Sequence, residues 1–322
     1  MAVYTEVSDD ELIEFMSGYD LGEVVAFKGI AEGIENSNFH LTMTGGAYIL
    51  TLYERRVAPR DLPFFLDLLD HLAARGVPCP VPVRARDGKA LRALAGRPAA
   101  VVTFLPGLWP RRVTPGHCAG VGRALARMHL AGADFVGRRD NALSVSAWRS
   151  LLKSAGPEVD CVQMGLAVKL GRDLDTIEAG WPKNLPEGII HADLFPDNVF
   201  FRGDDLTGLI DFYFACRDFL AYDLAVCLNA WCFEADFSFN VTKARRLVGE
   251  YDRVRPLEAA EVAALPLLAK GAAMRFLLTR LYDWLNTPEG AFVTPKDPLE
   301  YVAKLRFHDR VASAAEYGLD VE

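Results

Sequence analysis

The sequence predicts an α+β chain in two lobes: a small antiparallel sheet carrying one helix, then a larger, mainly helical lobe. Three observations lead there. Residues 24–54 alternate apolar and polar side chains around the two-glycine turn Gly45-Gly46, the pattern of an antiparallel meander. After Thr114 the rhythm becomes helical, with Cys118, Val121, Leu125 and Met128 on one face. Between the two regimes lies FLPGLWP, residues 104–110, whose prolines and glycine interrupt either kind of element. Residues 1–103 are therefore the expected small lobe, 104–110 a hinge and 111–322 the large lobe.

Each element follows in order. Ser8 with Glu11 three residues on has capping-box spacing and opens a short helix to about Met16. VVAFKGI (24–30), FHLTM (39–43) and AYILTLYE (47–54) read as strands. LPFFLDLLDHLAARG places apolar residues at 62, 65, 66, 69, 72 and 73, and Gly76 with Pro78 ends it. PVPVRARDG (80–88) and PAAVVTFL (98–105) read as two further strands. Thr114-Pro115 is an N-cap and N1 pair for the first helix of the large lobe. From 145 to 177 and from 240 to 318 the pattern is mostly helical, with no internal repeat.

Composition narrows the function classes. Lys plus Arg total 35 against 43 Asp plus Glu, a formal charge of −8, which disfavours a nucleic-acid partner. MAVYTEVSDDELIEF lacks the basic and apolar regions of a secretory signal. The most apolar long segment, residues 262–285, is broken by Pro266, Lys270, Arg275 and Arg280, so it reads as a core helix and no membrane partner is expected. The six cysteines form no CxxC pair, consistent with reduced, mostly buried thiols in a cytoplasmic protein.

The chemistry concentrates in HADLFPDNVFF, residues 191–201. Carboxylates and an amide among apolar neighbours are costly to desolvate unless something binds them. Asp193 precedes Asn198 by five residues, and Asp211 follows the next strand-like run, GLIDFYFA. A carboxylate, an amide and a second carboxylate suit phosphoryl transfer, where one group takes the attacking hydroxyl's proton and two oxygens hold magnesium against ATP phosphates.

On these residues the chain resembles the aminoglycoside phosphotransferase-like kinases, a branch of the protein-kinase-like fold. HADLFPDN resembles their H-G-D-x-x-x-x-N catalytic loop, and LIDFYFA their metal-binding I-D-[FWY] strand. The resemblance implies a bilobal kinase fold, with Asp193 as catalytic base and Asn198 and Asp211 as magnesium ligands. GIENSNF, YILTLYE, LPFFLDLLDHLAARGVPCPVP, FLPG, RALARMH and IDFYFACRDFLAYDLAVCLNAWCF extend it over nearly the whole chain toward the homoserine kinases of that superfamily. It implies ATP as co-substrate, Mg2+ as cofactor and a small amino-acid alcohol as acceptor. Sister kinases acting on choline, ethanolamine, methylthioribose or an aminoglycoside remain alternatives, as does a nucleotide-binding pseudokinase.

Against that background Gly33, Asn36, Ser37 and Asn38 lie between two strands, where backbone amides are expected to cover the triphosphate. Thr103, Phe104 and Leu105 fall at the expected hinge, beside adenine. One departure stands out: Thr51 occupies the place of the third-strand lysine, leaving Lys28, Arg55 and Arg56 as candidate replacements. For the acceptor, Asp218, Trp231 and Arg275 are the candidate contacts, since a zwitterion needs an anion, a cation and walls. His191 and Asp223 are expected to support the catalytic loop, and His129 to be a satisfied core histidine.

Overall fold

The computed structural model describes residues 5–30, 36–54, 58–287 and 295–319. Ser8 caps α1 (Asp9–Met16) as expected: its hydroxyl accepts the Glu11 N–H, and the Glu11 carboxylate accepts the Ser8 N–H. β1 (Val24–Gly29), β2 (Ser37–Met43) and β3 (Gly46–Leu52) form the antiparallel meander. Buried and half-buried residues alternate along β2, as one covered face requires. α2 (Leu62–Ala74) follows, then β4 (Leu91–Leu94) and β5 (Arg97–Thr103), completing a sheet of order β1-β2-β3-β5-β4. Among the described residues the small lobe thus carries two α-helices. α1 packs with Leu50, Leu52, Ala99 and Val101, while α2 packs with Tyr53 and Ala100 on the opposite face.

One expected strand is displaced. Residues 80–88 contribute only an isolated bridge, Pro82 to Val102, instead of a ladder. Pro80 and Pro82 have no N–H to donate, which confines such a segment to the margin of a sheet. Its place is taken by LRAL of β4, which turns into β5 through Ala95 and Gly96, both at positive φ (48° and 72°). Two such residues make the tight turn that suits a two-residue hairpin.

β5 ends at Thr103 and the chain crosses to the second lobe. Phe104 N–H still donates to Ala47 O in the sheet. The large lobe comprises α3 (Pro115–Ala131), α4 (Val145–Ala155), α5 (Val159–Val162), α6 (Leu166–Gly180), β6 (Glu187–Ile190), β7 (Val199–Arg202), β8 (Asp205–Leu209) and β9 (Cys216–Phe219). α7 (Leu220–Trp231), α8 (Val241–Val254), α9 (Ala259–Asn286) and α10 (Leu299–His308) complete it. Leu108 of the crossing pairs with Phe201 of β7, so residues 104–110 are tied to both lobes. α9 is long and apolar enough to span a bilayer by composition. It packs instead inside the lobe, where Ala269 O accepts an N–H from the Asn229 amide of α7. Five cysteines are buried free thiols and Cys161 is exposed.

Candidate active site

Two short ladders bring the polar residues together. β6 pairs antiparallel with β9, setting Ile190 opposite Cys216. The hairpin β7–β8 sets Val199 opposite Leu209. Asn198 therefore precedes one strand of that hairpin and Asp211 follows the other, and Ile210 N–H donates to Asn198 O at 3.0 Å. Residues far apart in sequence meet because the hairpin is short.

Asn198 ends a one-turn 3-10 helix opened by Pro196. Its Nδ2 donates to Asp193 O at 2.8 Å and lies 3.5 Å from Asp193 Oδ2. Asp211 sits in the left-handed region (φ 64°, ψ 58°), where a sharp turn ends the run from β8, and its Oδ1 is buried. An amide oxygen and a carboxylate are hard donors that suit Mg2+, which takes few protein ligands and keeps phosphate and water oxygens for the rest. Among the described residues no cluster of three or more His, Cys, Asp or Glu is arranged to hold a metal.

The loop is braced from beneath. Asp223 of α7, wholly buried, accepts the N–H groups of His191 at 2.7 Å and Ala192 at 2.9 Å, and lies 3.1 Å from His129 Nε2. Burial alone would raise the Asp223 pKa. The hydrogen bond and charge of His129, with the His191 N–H, outweigh it and hold the carboxyl below its usual range. His191 Nε2 faces Ile210 O at 2.9 Å, and Asp193 N–H donates to its Nδ1 at 3.3 Å. Since a carbonyl only accepts, Nε2 carries the proton and the ring is neutral. Burial, the largest influence, pushes its pKa down in agreement.

On the nucleotide side, Gly33, Arg55 and Arg56 lie outside the described residues. Asn36 Oδ1 accepts Glu54 N–H at 3.3 Å, the Ser37 hydroxyl donates to Glu54 Oε1 at 2.8 Å, and Asn38 Oδ1 accepts the Thr51 hydroxyl at 2.8 Å. These three side chains hold strands together, and Thr51 is occupied in the same way. Lys28 is exposed on β1. Thr103 joins Val81, its hydroxyl accepting the Val81 N–H. Phe104 is exposed and Leu105 half-buried.

On the acceptor side, Asp218 is half-buried in β9 and accepts N–H bonds from Asn141 Nδ2 and Phe219 N, both at 2.7 Å. Burial pushes its carboxyl up. Trp231 is 0% exposed and donates its indole N–H to Leu194 O at 2.7 Å. A wholly enclosed ring lines no open pocket, so the expected wall is instead a strut under the catalytic loop. Arg275 is also buried and turned toward that loop. The sequence reading did not single out Asn141, which bonds Asp218, or Ala192, which is bonded by Asp223 and Arg275.

The five-stranded antiparallel sheet and the mainly helical lobe that carries Asp193, Asn198 and Asp211 form a kinase-like fold. The family model for the Phosphotransferase enzyme family matches residues 26–257. A homoserine kinase of Bradyrhizobium diazoefficiens is 66% identical over 320 residues, 99% of this chain and 98% of that one. A homoserine kinase of Rhodospirillum rubrum is 65% identical over 319 residues, 99% of each chain. The fold also matches a solved amicoumacin kinase in complex with AMP-PNP, Ca2+ and Ami, at a TM-score of 0.72 and 15% identity over 95% of both chains. The chain belongs to the Phosphotransferase enzyme family and, within it, to the homoserine kinases.

Proposed function

We propose that this protein transfers the γ-phosphoryl group of ATP to the side-chain hydroxyl of L-homoserine. The bond from γ-phosphorus to the β,γ-bridging oxygen breaks as the bond from phosphorus to the hydroxyl oxygen forms. The products are ADP and O-phospho-L-homoserine, and the hydroxyl proton passes to Asp193. Asn198 and Asp211 are the residues that would hold Mg2+. Bound there, the ion supplies charge neutralisation for the phosphate oxygens.

The protein's own part is positioning. Asn198 holds the Asp193 carboxylate and its backbone. Asp223 and the neutral His191 hold the loop from two sides. Asn36, Ser37, Asn38 and Gly33 would border the triphosphate through backbone groups. Thr103, Phe104 and Leu105 would border adenine. Asp218 is the acidic candidate for the acceptor ammonium. The small lobe to residue 103 would cover the nucleotide, and the lobe from 111 would carry the chemistry. The reading implies the cytoplasm, where ATP is supplied, and a step toward threonine.

The observation that carries it is the hydrogen-bonded convergence of Asp193, Asn198 and Ile210-Asp211. ATP consumption with homoserine, threonine, serine, choline and kanamycin tests it. Homoserine should give the highest turnover by a wide margin. A preference for choline or kanamycin would assign a sister kinase. Nucleotide binding with no acceptor-dependent turnover would assign a pseudokinase, the reading that Thr51 in place of a strand lysine favours.

A further inference from the structure

α9 reaches the catalytic loop from a part of the chain some eighty residues away. Arg275 is 3% exposed, and its Nη1 donates to Ala192 O at 2.7 Å. The same nitrogen lies 3.7 Å from Asp193 Oδ1. The guanidinium stands 3.9 Å from the centroid of the Phe276 ring and 5.3 Å from that of Phe214. Phe276 in turn packs edge-on against Phe195 of the loop, with ring centroids 4.9 Å apart. A buried guanidinium needs a counter-charge and acceptors. Among the described residues the carboxylate it pairs with is Asp193.

The residue it grips is strained. Ala192 has φ 63°, a conformation in which a Cβ crowds the following carbonyl. That backbone persists because Asp223 takes the Ala192 N–H while Arg275 takes its carbonyl. Asp193 is thus held by Arg275 near Oδ1 and by Asn198 near Oδ2. An acceptor carboxylate would have to displace these bonds to reach a side chain only 4% exposed.

We propose that Arg275 is a positioning residue of the catalytic base: it locks the Ala192 turn and fixes the direction in which the Asp193 carboxylate meets the acceptor hydroxyl. The inference rests on Asp193 being the base. It departs from the expectation that Arg275 grips the acceptor. The two roles separate kinetically, because a positioning group acts on the chemical step while a gripping group acts on acceptor binding.

The test compares Arg275→Lys and Arg275→Met with the unaltered enzyme and with Asp193→Asn, reading kcat and both KM values. A small displacement of a reacting group costs up to about 10²-fold in rate. The expected result is therefore a fall in kcat of roughly 10–100-fold in Arg275→Met, with both KM values within about threefold. Arg275→Lys, which keeps the cation, should recover part of the loss. If Arg275→Met does not fold, Arg275→Lys decides alone through the same split of kcat from KM. A rise in the homoserine KM at unchanged kcat, or no effect on either, overturns the proposal. Full turnover in Asp193→Asn would instead overturn the base assignment beneath it.

Discussion

His191 Nε2–H donates to the Ile210 carbonyl across 2.9 Å, joining the loop that carries Asp193 to the run that carries Asp211. The bond requires the proton on Nε2, and the Asp193 N–H donated to Nδ1 makes the ring the neutral Nε2–H tautomer. His191 is thus a spacer between the segments that carry Asp193, the proposed base, and Asp211, the proposed metal ligand. Replacing it with Phe keeps a ring but strands Ile210 O. His191→Phe should lose about 1–3 kcal/mol of stability, the cost of a buried unsatisfied group, measured by urea unfolding.

Asp193 is the carboxylate that Asn198 and Arg275 both approach. Asp193→Asn is nearly isosteric and removes the proton acceptor. It should lower kcat by about 10²–10⁴, the usual contribution of a positioned base, and leave ATP affinity nearly unchanged. Steady-state kinetics with a nucleotide-binding titration check both halves.

Asn198 and Asp211 should share one phenotype. In each alanine variant, the Mg2+ concentration giving half-maximal activity should rise by more than the roughly 10–100-fold that loss of an outer-shell partner costs. Titrating activity with MgCl2 at saturating ATP measures this. A curve that coincides with the unaltered enzyme's would remove either residue from the metal site.

His308 predicts how stability depends on pH. It is buried, its Nε2 3.1 Å from Asn229 Oδ1 and its Nδ1 2.7 Å from the Tyr317 hydroxyl. Burial, then the Lys304 charge, pushes its pKa down to about 3. The unfolded histidine titrates near 6.5, so between these values the unfolded chain holds a proton that the folded chain lacks. Stability is full above the unfolded pKa and falls with pH below it. The loss from pH 6.5 to 5 should be about 1.6 kcal/mol from this residue. Urea unfolding of His308→Gln at both pH values should show a correspondingly shallower decline.

Much of this site was legible in the sequence because it is carried by short motifs. The spacing from Asp193 to Asn198, and Asp211 after the next strand, identified residues that the β7–β8 hairpin then unites. Asp223 was legible as a loop support. What was not legible depends on tertiary burial. Trp231 and Arg275 sit at helical spacing that does not tell an enclosed side chain from one lining a pocket. Ala192 offered one signal: the resembling kinases have glycine there, the residue that tolerates positive φ. The displaced strand has a local cause, since Pro80 and Pro82 suit an extended segment but cannot supply a ladder.

Gly122 is where helix packing meets the loop. A Cβ on Gly122 of α3 would collide with the Leu247 carbonyl oxygen of α8, and would stand 3.0 Å from its carbonyl carbon and 3.1 Å from Tyr251 N. These are backbone atoms, so relief requires the helices to part. The same helices carry His129 and Tyr251, whose side chains meet at 2.7 Å, and His129 contacts Asp223 in turn. Separating α3 from α8 would therefore disturb the carboxylate that holds His191 and Ala192. Gly122→Ala should cost roughly 1–3 kcal/mol, the range for overpacking, and should also lower kcat. Gly249→Ala is the control: it lies on α8, where an added Cβ meets nothing within 4 Å. Chemical denaturation and kinetics on both variants test the link, and a destabilised Gly122→Ala with unchanged kcat would break it.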